Sequence, residues 1–359
     1  MKNVIAFPDL GLEFNVNATA FYIDKESGFG VQWYGIILSL GIILAFLTLY
    51  YLATKKELID ADTVYNVTLL TVPIGIVGAR FFYVVTEWDQ YKDGSFLDMI
   101  NIRNGGIAIY GAIIFGLATV LIYCKVKKMK AFALLDALAP AVMIGQIVGR
   151  WGNFINGEAF GFSENVGSFP WRMTIEKYNG DVLRFTTATN YPDGVHPTFL
   201  YESLWNFIGL AIIIFVLYRK KKFNGEIFFA YMGWYGFGRM FIEMLRTDSL
   251  FLFKSIFGQT FKFSVVTGAV CFIAAVIGLV VLSRRYRSEK EEISGYTSTF
   301  SSLAVKIKSE EDALDQSVFD TAEPEEAAEK TEESDVVEKV NEAPEEPEEP
   351  EEGESNEVD

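Results

Sequence analysis

The sequence has little of what metal sites and disulfide frameworks require. It contains only two cysteines in 359 residues, Cys124 and Cys271, which lie far apart in or beside apolar runs. Two distant cysteines imply neither a disulfide framework nor a cysteine metal cluster. The only histidine is His196, so a histidine-based metal site is not expected either. We therefore predict a protein that works without a metal or another cofactor.

The N-terminus also lacks a basic stretch followed by an apolar core, so we predict no cleaved signal peptide. Positive charge is scarce overall, and the formal net charge is −16. The deficit lies at one end, because residues 301–359 contain 23 acidic and 4 basic side chains, whereas the rest contains 24 and 27. This end is rich in Glu, Pro and Ala and has too few apolar residues to fold. We predict a disordered acidic tail over residues 286–359, and we expect no nucleic-acid partner.

Apolar residues are abundant, since half of the chain is hydrophobic and it contains 31 Phe and 17 Tyr. Seven apolar runs have the roughly 20 residues that a helix needs to cross about 30 Å of hydrocarbon. None of them is a single-sided amphipathic stripe, which disfavours the buried helices of a soluble protein. We predict an all-α polytopic membrane protein with seven transmembrane helices at residues 31–53, 62–86, 105–124, 131–151, 199–218, 225–245 and 264–283.

The basic loops predict the orientation of these spans. Lys and Arg concentrate after the first, third, fifth and seventh runs, in the segments TKKE, KVKKMK, YRKKKF and SRRYRSEK. By the positive-inside rule these loops are cytoplasmic. This orientation places the N-terminus outside the cell and the acidic tail inside.

The longest outer segment lies between the fourth and fifth spans. Its alternating β-forming residues, with Asn-Gly and Asp-Gly turns, predict a small extracytoplasmic head with short strands. The predicted domains are an extracytoplasmic N-terminal segment (1–30), a seven-span domain (31–285) that includes the head (157–197), and the cytoplasmic tail (286–359).

Six spans carry polar residues near their outer ends. The sixth has Tyr235, Arg239, Glu243 and Arg246 at spacings i, i+4, i+8 and i+11, which predicts one shared helix face. Such groups are costly in a membrane, and the inner halves show no comparable set. We predict one polar cavity open toward the outer leaflet. The other five spans contribute Trp33, Tyr34, Arg80, Tyr110, Arg150, His196, Tyr201 and Glu202.

Two arginines of this predicted cavity suit a phosphate group. Arg150 and Arg239 each present a planar fork of N–H donors that fits phosphate oxygens. Asn153 and Asn156 can hydrogen-bond a polar head group, and the glycines around them let the backbone approach closely. These residues predict the binding of an anionic phospholipid of the outer leaflet, but they do not by themselves specify a reaction.

Each of these residues also has a purely structural interpretation. Tyr34 fits an aromatic belt at the membrane surface, and Arg80 fits a side chain that snorkels to water. Glu243 fits an ion pair with a neighbouring arginine, and His196 fits a hydrogen-bonded residue at a helix start. Their convergence at one membrane depth favours the functional interpretation.

Several motifs resemble those of a known family. The longest, GRWGNFINGEAFG at residues 149–161, resembles the signature of the bacterial phosphatidylglycerol–prolipoprotein diacylglyceryl transferases. The other matches occur in the family's order and extend the resemblance over roughly residues 30–285. They are WYG (33–35), GAR (78–80), RNGGIAIYGA (103–112), HPTFLYE (196–202) and WYGFGRMFIEMLRTD (234–248).

The resemblance implies an activity. Members of this family transfer the sn-1,2-diacylglyceryl group of phosphatidylglycerol to the lipobox cysteine of a prolipoprotein, forming a thioether and releasing glycerol 1-phosphate. This reaction is the first step of bacterial lipoprotein maturation. The implied enzyme lies in the bacterial cell membrane, and its partners are phosphatidylglycerol, prolipoprotein signal peptides with a lipobox cysteine, and the lipid bilayer.

The resemblance also implies roles for individual residues. Tyr110 departs from the family pattern, because many members carry there a histidine that has been favoured as the base. A free tyrosine has a pKa of about 10 and is a poorer base at neutral pH, so His196 and Glu202 are further candidates. The predicted catalytic residues are Arg150, Arg239, Tyr110 and Glu243, and the predicted substrate-binding residues are Arg150, Asn153, Glu158, Gly161, Tyr34, Tyr235, Arg246, Arg80 and His196.

Two other functions stay open on the sequence alone. A transporter or flippase of anionic lipids would also have several spans and a polar cavity, but it predicts polar residues in the inner halves as well. A non-catalytic scaffold that recruits partners through the acidic tail would leave the arginines of the cavity unexplained.

Overall fold

A computed structural model of the chain contains two compact units, residues 1–293 and residues 294–359. Helices dominate the first unit, as the long apolar runs predict. The residues that the structure describes are 2–24, 29–102, 105–247, 251–256 and 259–320.

The helices follow the predicted runs closely, with short helices in some of the loops. Within the fifth run a π-helical turn, Ile213–Leu217, separates α7 from α8. The helices are α1 (Trp33–Lys55), α2 (Ala61–Thr86), α3 (Trp88–Tyr91), α4 (Phe96–Ile100), α5 (Ile109–Val126), α6 (Ala131–Asn156), α7 (Thr198–Ile212), α8 (Tyr218–Lys220), α9 (Glu226–Leu245) and α10 (Phe263–Asp320).

Short strands occupy the N-terminal segment and two later loops. The strands are β1 (Lys2–Phe7), β2 (Leu12–Asn17), β3 (Thr19–Asp24), β4 (Phe29–Gln32), β5 (Thr174–Asn179), β6 (Val182–Thr186), β7 (Phe251–Ile256) and β8 (Gln259–Lys262).

Six helical segments of the described chain are long and apolar enough to cross a membrane. The sixth predicted run forms α9, which has 20 residues but contains Glu226, Arg239 and Glu243 among tyrosines and glycines. These residues lower its hydropathy, so α9 as a seventh span stays a prediction. The six candidate spans are Trp33–Lys55, Ala61–Thr86, Ile109–Val126, Ala131–Asn156, Thr198–Lys220 and Phe263–Glu310.

Helix α6 occupies the centre of the bundle. It packs along α1 and also contacts α7 and α9, while α2 packs along α5. The apolar core around the first half of α6 includes the fully buried Leu134 and Ala137 together with Leu52 of α1 and Val64 of α2. The second half of α6 therefore faces α7 and α9, the helices that carry most of the predicted polar residues.

A polar cluster lies at the start of α6, beside the basic segments TKKE and YRKKKF. Asp136 is fully buried and accepts backbone N–H groups of Gly225 at 2.7 Å and Phe228 at 2.8 Å. Lys221 pairs with Asp136 at 2.8 Å and with Glu57 at 2.6 Å. Asp136 stands alone in an apolar run, so the sequence did not reveal it. Its contacts cap the start of α9 and give no support to a transport path.

The N-terminal segment and the segment between α6 and α7 form one four-stranded antiparallel sheet with strand order β2-β1-β5-β6. The short strands predicted for residues 157–197 are present as β5 and β6, and they share their sheet with two strands of the predicted N-terminal segment 1–30. Strand β1 pairs directly with β5, from Lys2↔Tyr178 to Ala6↔Thr174. The core under this sheet includes Ile5, Phe7, Met173, Ile175, Val195 and Phe199.

An ion pair ties the same two segments together at the surface. Arg172 Nε donates to Asp9 Oδ2 at 2.7 Å, and this hydrogen bond holds the pKa of Asp9 below its ordinary value. Such an exposed pair contributes little to stability. Like the pairing of β1 with β5, this ion pair shows that the N-terminal segment lies beside the segment between α6 and α7.

Helix α10 runs to Asp320, which departs from the prediction that disorder begins at residue 286. Charged side chains one turn apart support this helix, with Arg285 and Glu289 at 3.0 Å and Lys306 and Glu310 at 3.9 Å. The chain between 286 and 320 also contains no proline that would end a helix. The remainder of the predicted tail, 321–359, lies outside the described residues.

Candidate active site

A stacked tryptophan pair fixes the spacing of α7 and α9. The rings of Trp205 and Trp234 lie 4.3 Å apart, and each indole N–H donates to the other residue's backbone carbonyl, at 3.1 and 3.0 Å. Gly209 and Gly238 lie under these rings, where a Cβ atom would overlap them. This close approach brings Glu202 of α7 to the face of α9.

Glu202 joins the two arginines that were predicted to bind phosphate. Its Oε1 accepts from Arg239 Nη1 at 2.5 Å and from Arg150 Nη2 at 2.9 Å. Its Oε2 lies 2.8 Å from Arg150 Nε, without hydrogen-bond geometry. The carboxylate is 4% exposed, so one buried negative charge connects α6, α7 and α9.

Glu243 extends this set of ion pairs. Its Oε2 lies 2.6 Å from Arg239 Nη2 and 3.9 Å from Arg246 Nη1. Helix α9 ends at Leu245, so Arg246 has an extended backbone and does not lie on the helix with the other three residues, as had been predicted. The connected side chains, called here the arginine–glutamate chain, are Arg150, Glu202, Arg239, Glu243 and Arg246.

The arginine–glutamate chain holds three positive and two negative charges, an excess of one positive charge. Each guanidinium has five N–H donors. Within the described part of the protein, Arg150 Nη1 and Arg239 Nε have no protein partner, although the neighbouring nitrogens of both residues are paired. These donors can bind an anion, and in a largely buried site their attraction exceeds that in water.

A second polar group lies where α6 ends. Asn153 Nδ2 and Asn156 Nδ2 donate to Glu158 Oε1 at 3.1 and 3.3 Å. Gly157 makes this possible, because its φ of 57° is the left-handed conformation that ends a helix and reverses the chain. The three side chains predicted to contact a head group are thus brought together.

Tyr34 lies beside this second group. Its ring packs against Gly152, where a Cβ atom would lie 2.6 Å from Tyr34 Cδ2. The Tyr34 hydroxyl interacts electrostatically with both Glu158 and Arg150. Tyr34 therefore stands between the second polar group and the arginine–glutamate chain.

Two further tyrosines border the arginine–glutamate chain. Tyr235 lies one turn before Arg239 on α9 and interacts electrostatically with Arg239 and Glu202. Tyr110 interacts with Tyr235 in the same way, but its hydroxyl lies 3.0 Å from the Ser264 hydroxyl rather than beside an arginine. Tyr110 is thus at the edge of the site.

Gly161 ties three segments together next to Arg246. Its N–H donates to the His196 carbonyl at 3.0 Å, its carbonyl accepts the His196 N–H at 2.6 Å, and its backbone also bridges Arg246. A Cβ atom on Gly161 would lie 2.8 Å from the Leu245 carbonyl oxygen. Gly161 therefore positions the backbone around Arg246, which is a structural role.

His196 uses both nitrogens of its ring. Nε2 lies 2.6 Å from Ser163 Oγ and Nδ1 lies 3.1 Å from the Tyr201 hydroxyl. The residue is 2% exposed, and this burial lowers the pKa of His196. A neutral, doubly hydrogen-bonded histidine holds the start of α7 and has no free nitrogen for a substrate.

Comparison with known proteins agrees with this arrangement. Residues 20–282 match the family described as prolipoprotein diacylglyceryl transferase, and this range contains the whole arginine–glutamate chain. This polypeptide belongs to the prolipoprotein diacylglyceryl transferase family. The family predicted from the motifs is therefore confirmed.

Several bacterial relatives of this transferase family cover most of the sequence, and all three named here are phosphatidylglycerol–prolipoprotein diacylglyceryl transferases. The relative from Finegoldia magna is 40% identical over 262 residues, which cover 73% of this chain and 94% of the relative. The relative from Clostridium botulinum strain Langeland is 38% identical over 274 residues, covering 76% and 100%. Another, from Clostridium perfringens strain 13, is 39% identical over 281 residues, covering 77% and 98%.

Arg80 lies apart from the arginine–glutamate chain of this transferase family member. Its guanidinium donates to the backbone carbonyls of Asp98, Met99, Gly105 and Gly106 at 2.7 to 2.8 Å. Four of its five N–H donors are therefore used on the loop before α5. These contacts support the loop before α5, and substrate binding by Arg80 stays a prediction.

Glu202 has a role in the site that was not predicted. It was expected in the polar cavity and as a candidate base, whereas the structure places it between two arginines. One signal was present, since a glutamate within an outer-half span needs a partner and both arginines lie at the same predicted depth. Among the described residues, no group of three or more His, Cys, Asp or Glu side chains is placed to hold a metal ion.

Proposed function

We propose that this chain transfers the sn-1,2-diacylglyceryl group of phosphatidylglycerol to the lipobox cysteine of a prolipoprotein. A carbon–sulfur bond forms at a primary glycerol carbon, and the bond between that carbon and the phosphate oxygen breaks. The products are the thioether-linked prolipoprotein and glycerol 1-phosphate, which takes up the thiol proton. Family membership supports the reaction type, and the names of the relatives support the lipid substrate.

The single observation that carries the site assignment is the arginine–glutamate chain, with its unpaired donors on Arg150 and Arg239. A phosphodiester carries one negative charge, and the phosphate monoester that departs carries up to two. The leaving group therefore gains negative charge as the bond breaks. Two fixed guanidinium forks stabilise that charge without a metal ion.

The head group of the lipid is assigned to the second polar group. Asn153 and Glu158 offer amide and carboxylate partners for the free glycerol hydroxyls, and Tyr34 stands between them and Arg150. These side chains, at the end of α6 and the start of α1, are thus assigned to a polyhydroxylated head group next to the phosphate site. Head-group recognition by these side chains explains a preference for phosphatidylglycerol over lipids without those hydroxyls.

We assign the removal of the proton from the lipobox thiol to Tyr110. His196 has both ring nitrogens occupied, and Glu202 holds two guanidiniums, so neither is free to take a proton. The Tyr110 hydroxyl lies 3.0 Å from the Ser264 hydroxyl. We assign to the Tyr110 hydroxyl the transfer of the thiol proton to the departing phosphate, which is the final proton acceptor, with the Ser264 hydroxyl as the hydrogen-bond partner that orients it.

The proposed setting is the bacterial cell membrane, with α9 as a seventh span. The basic loops then face the cytoplasm, and the arginine–glutamate chain and the four-stranded sheet face outward. Lipobox cysteines of exported prolipoproteins reach the outer side of the membrane. The orientation therefore places the site where both proposed substrates are present.

The reaction is tested with the purified full-length protein, phosphatidylglycerol and a lipobox peptide. Mass spectrometry should detect the diacylglyceryl increment on the peptide cysteine. Arg150→Gln and Arg239→Gln should each lower the transfer rate by about 100-fold or more, the usual cost of losing one donor to a developing anion. Arg172→Gln, which removes a surface arginine paired with Asp9, is the matched control and should keep the wild-type rate.

Two outcomes would contradict different parts of this proposal. The absence of any mass increment, under conditions where a relative is active, would overturn the reaction. Full activity in both arginine variants would leave the reaction standing and remove the phosphate assignment.

A further inference from the structure

A groove of about 540 Å³ lies where the start of α9 meets α10. Along α9 it is roughly 20 Å from Arg239, given a rise of about 1.5 Å per residue. The groove is therefore a different place from the candidate active site. Its lining includes the apolar Phe223, Leu279 and Val280 and the cationic Lys222, Arg287 and Lys290.

The cations of this groove are not neutralised by neighbouring acids. Within the described part of the chain, Lys222, Arg287 and Lys290 have no ion-pair partner, whereas the adjacent Arg285 pairs with Glu289 at 3.0 Å. The lining also includes one acid, Glu226, whose carboxylate accepts the backbone N–H of Lys222 at 2.7 Å. The lining thus has a clear excess of positive charge.

The groove spans a change of polarity along α10. The apolar stretch of α10 ends at Leu282, and two arginines follow Ser283. Leu282 packs against Gly225, where a Cβ atom would lie 2.8 Å from Leu282 Cδ1, so α10 is held close to the start of α9. One end of the groove is therefore apolar and the other cationic, as at the boundary between hydrocarbon and head groups.

We propose that this groove binds an anionic phospholipid of the leaflet that faces the basic loops. The phosphate lies at Arg287 and Lys290, and an acyl chain lies along Leu279 and Val280. A free phosphate would use the cations but leave the apolar lining exposed, so the combination fits a lipid better. This site goes beyond the proposed function and does not depend on it.

The test uses spin-labelled phosphatidylserine, an anionic lipid other than the proposed substrate, in phosphatidylcholine vesicles that contain the full-length protein. Electron paramagnetic resonance measures the fraction of labelled lipid held at the protein. The wild type should prefer phosphatidylserine over spin-labelled phosphatidylcholine. Arg287→Gln/Lys290→Gln should lower the affinity for phosphatidylserine about tenfold or more, as expected for two lost cationic contacts at a membrane surface.

Two further variants separate a built site from general surface attraction. Arg284→Gln/Arg285→Gln removes the same charge from the same turns of α10 outside the groove, and it should change the affinity less than twofold. The charge-conserving variant Arg287→Lys/Lys290→Arg should keep the preference for phosphatidylserine. This result would show that positions 287 and 290 tolerate substitution. Equal losses in the two Gln variants, or an unchanged affinity in the groove variant, would overturn the proposal.

Discussion

At the scale of single residues, Glu202 determines how the two phosphate-binding arginines are held. It contacts Arg150 and Arg239 at 2.5 to 2.9 Å and is almost completely buried. Removing one member of a buried ion pair is strongly destabilising, at about 3–5 kcal/mol, because it leaves the partner charge uncompensated. In this site two guanidiniums would lose the same partner.

We predict that Glu202→Gln lowers the transfer rate by about 100-fold and also lowers the melting temperature. The amide keeps the size of the side chain but cannot neutralise both arginines, which then separate. Transfer assays and thermal unfolding in detergent measure the two effects. Glu164→Gln, at an exposed position, is the control and should match the wild type. A Glu202→Gln enzyme with normal activity and stability would show that the carboxylate is dispensable.

Tyr110 gives a second test at this scale. If its hydroxyl relays the thiol proton, Tyr110→Phe should slow transfer about 100-fold, the lower range for general acid–base catalysis. Tyr110→His should retain activity, because a neutral imidazole at this position can accept the proton. The transfer rates of the wild type, Tyr110→Phe and Tyr110→His are measured over a range of pH. Ser264→Ala removes the hydroxyl partner without touching the ring and should give an intermediate loss. Near-normal turnover of the Phe variant would exclude a proton-transfer role.

At the scale of elements, the arrangement depends on where helices end and how loops return. Gly161 pairs with His196 and Arg246, so one residue aligns the loop after α6, the start of α7 and the end of α9. These are the three helices that carry the arginine–glutamate chain. A small shift at Gly161 is therefore transmitted to all of them.

We predict that Gly161→Ala lowers stability by about 1–3 kcal/mol, because the new methyl group would overlap the Leu245 carbonyl and the Thr198 side chain. Transfer activity should fall with it. Thermal or denaturant unfolding gives the stability, and the peptide assay gives the activity. Gly145→Ala is the comparison, since a Cβ atom there meets nothing within 4 Å. Similar behaviour of the two variants would contradict the close-approach argument.

The sequence predicts helices well where the length and pattern of an apolar run determine them. The first five candidate spans and α9 lie within a few residues of the predicted runs, because about 20 apolar residues have few alternatives to a membrane helix. Helix α10 begins with the seventh run but extends well beyond its predicted end at residue 283. Features that depend on pairing between distant segments were missed. The contact of β1 with β5 and the capping of α9 by Asp136 leave no local pattern.

The sequence predicted which residues belong to the site better than it predicted which of them contact each other. Arg150, Arg239 and Glu243 were identified from depth and spacing. In the structure Arg239 contacts Glu243, and Glu202 joins Arg239 to Arg150. Arg80 shares their predicted depth but points its donors at backbone carbonyls, which no sequence pattern distinguishes from phosphate binding. Depth in a membrane therefore identifies candidates, and only the fold selects among them.

At the scale of the whole molecule, the sequence is longer than the part that matches the family. The family match ends at residue 282, and the three relatives are covered over 94–100% of their own length while 73–77% of this chain is used. The acidic residues at the C-terminus thus belong to an addition.

We predict that deletion of residues 301–359 changes the transfer rate by less than tenfold. All contacts described for the arginine–glutamate chain lie within residues 150–246, so the deletion removes none of them. The measurement is the peptide assay on the shortened and full-length proteins in the same lipid. A loss beyond tenfold, about 1.4 kcal/mol of activation free energy, would give the addition a role in catalysis.

The pairing of β1 with β5 sets an order of events during biogenesis. Lys2 is synthesised before its partner Tyr178, which follows 176 positions later, after four candidate spans. At about 5–20 residues per second, the first strand waits roughly 10–35 s for its neighbour. During that interval its apolar residues Ile5 and Phe7 lack the core that later buries them. The four candidate spans between the two strands must therefore be synthesised before the four-stranded sheet can close.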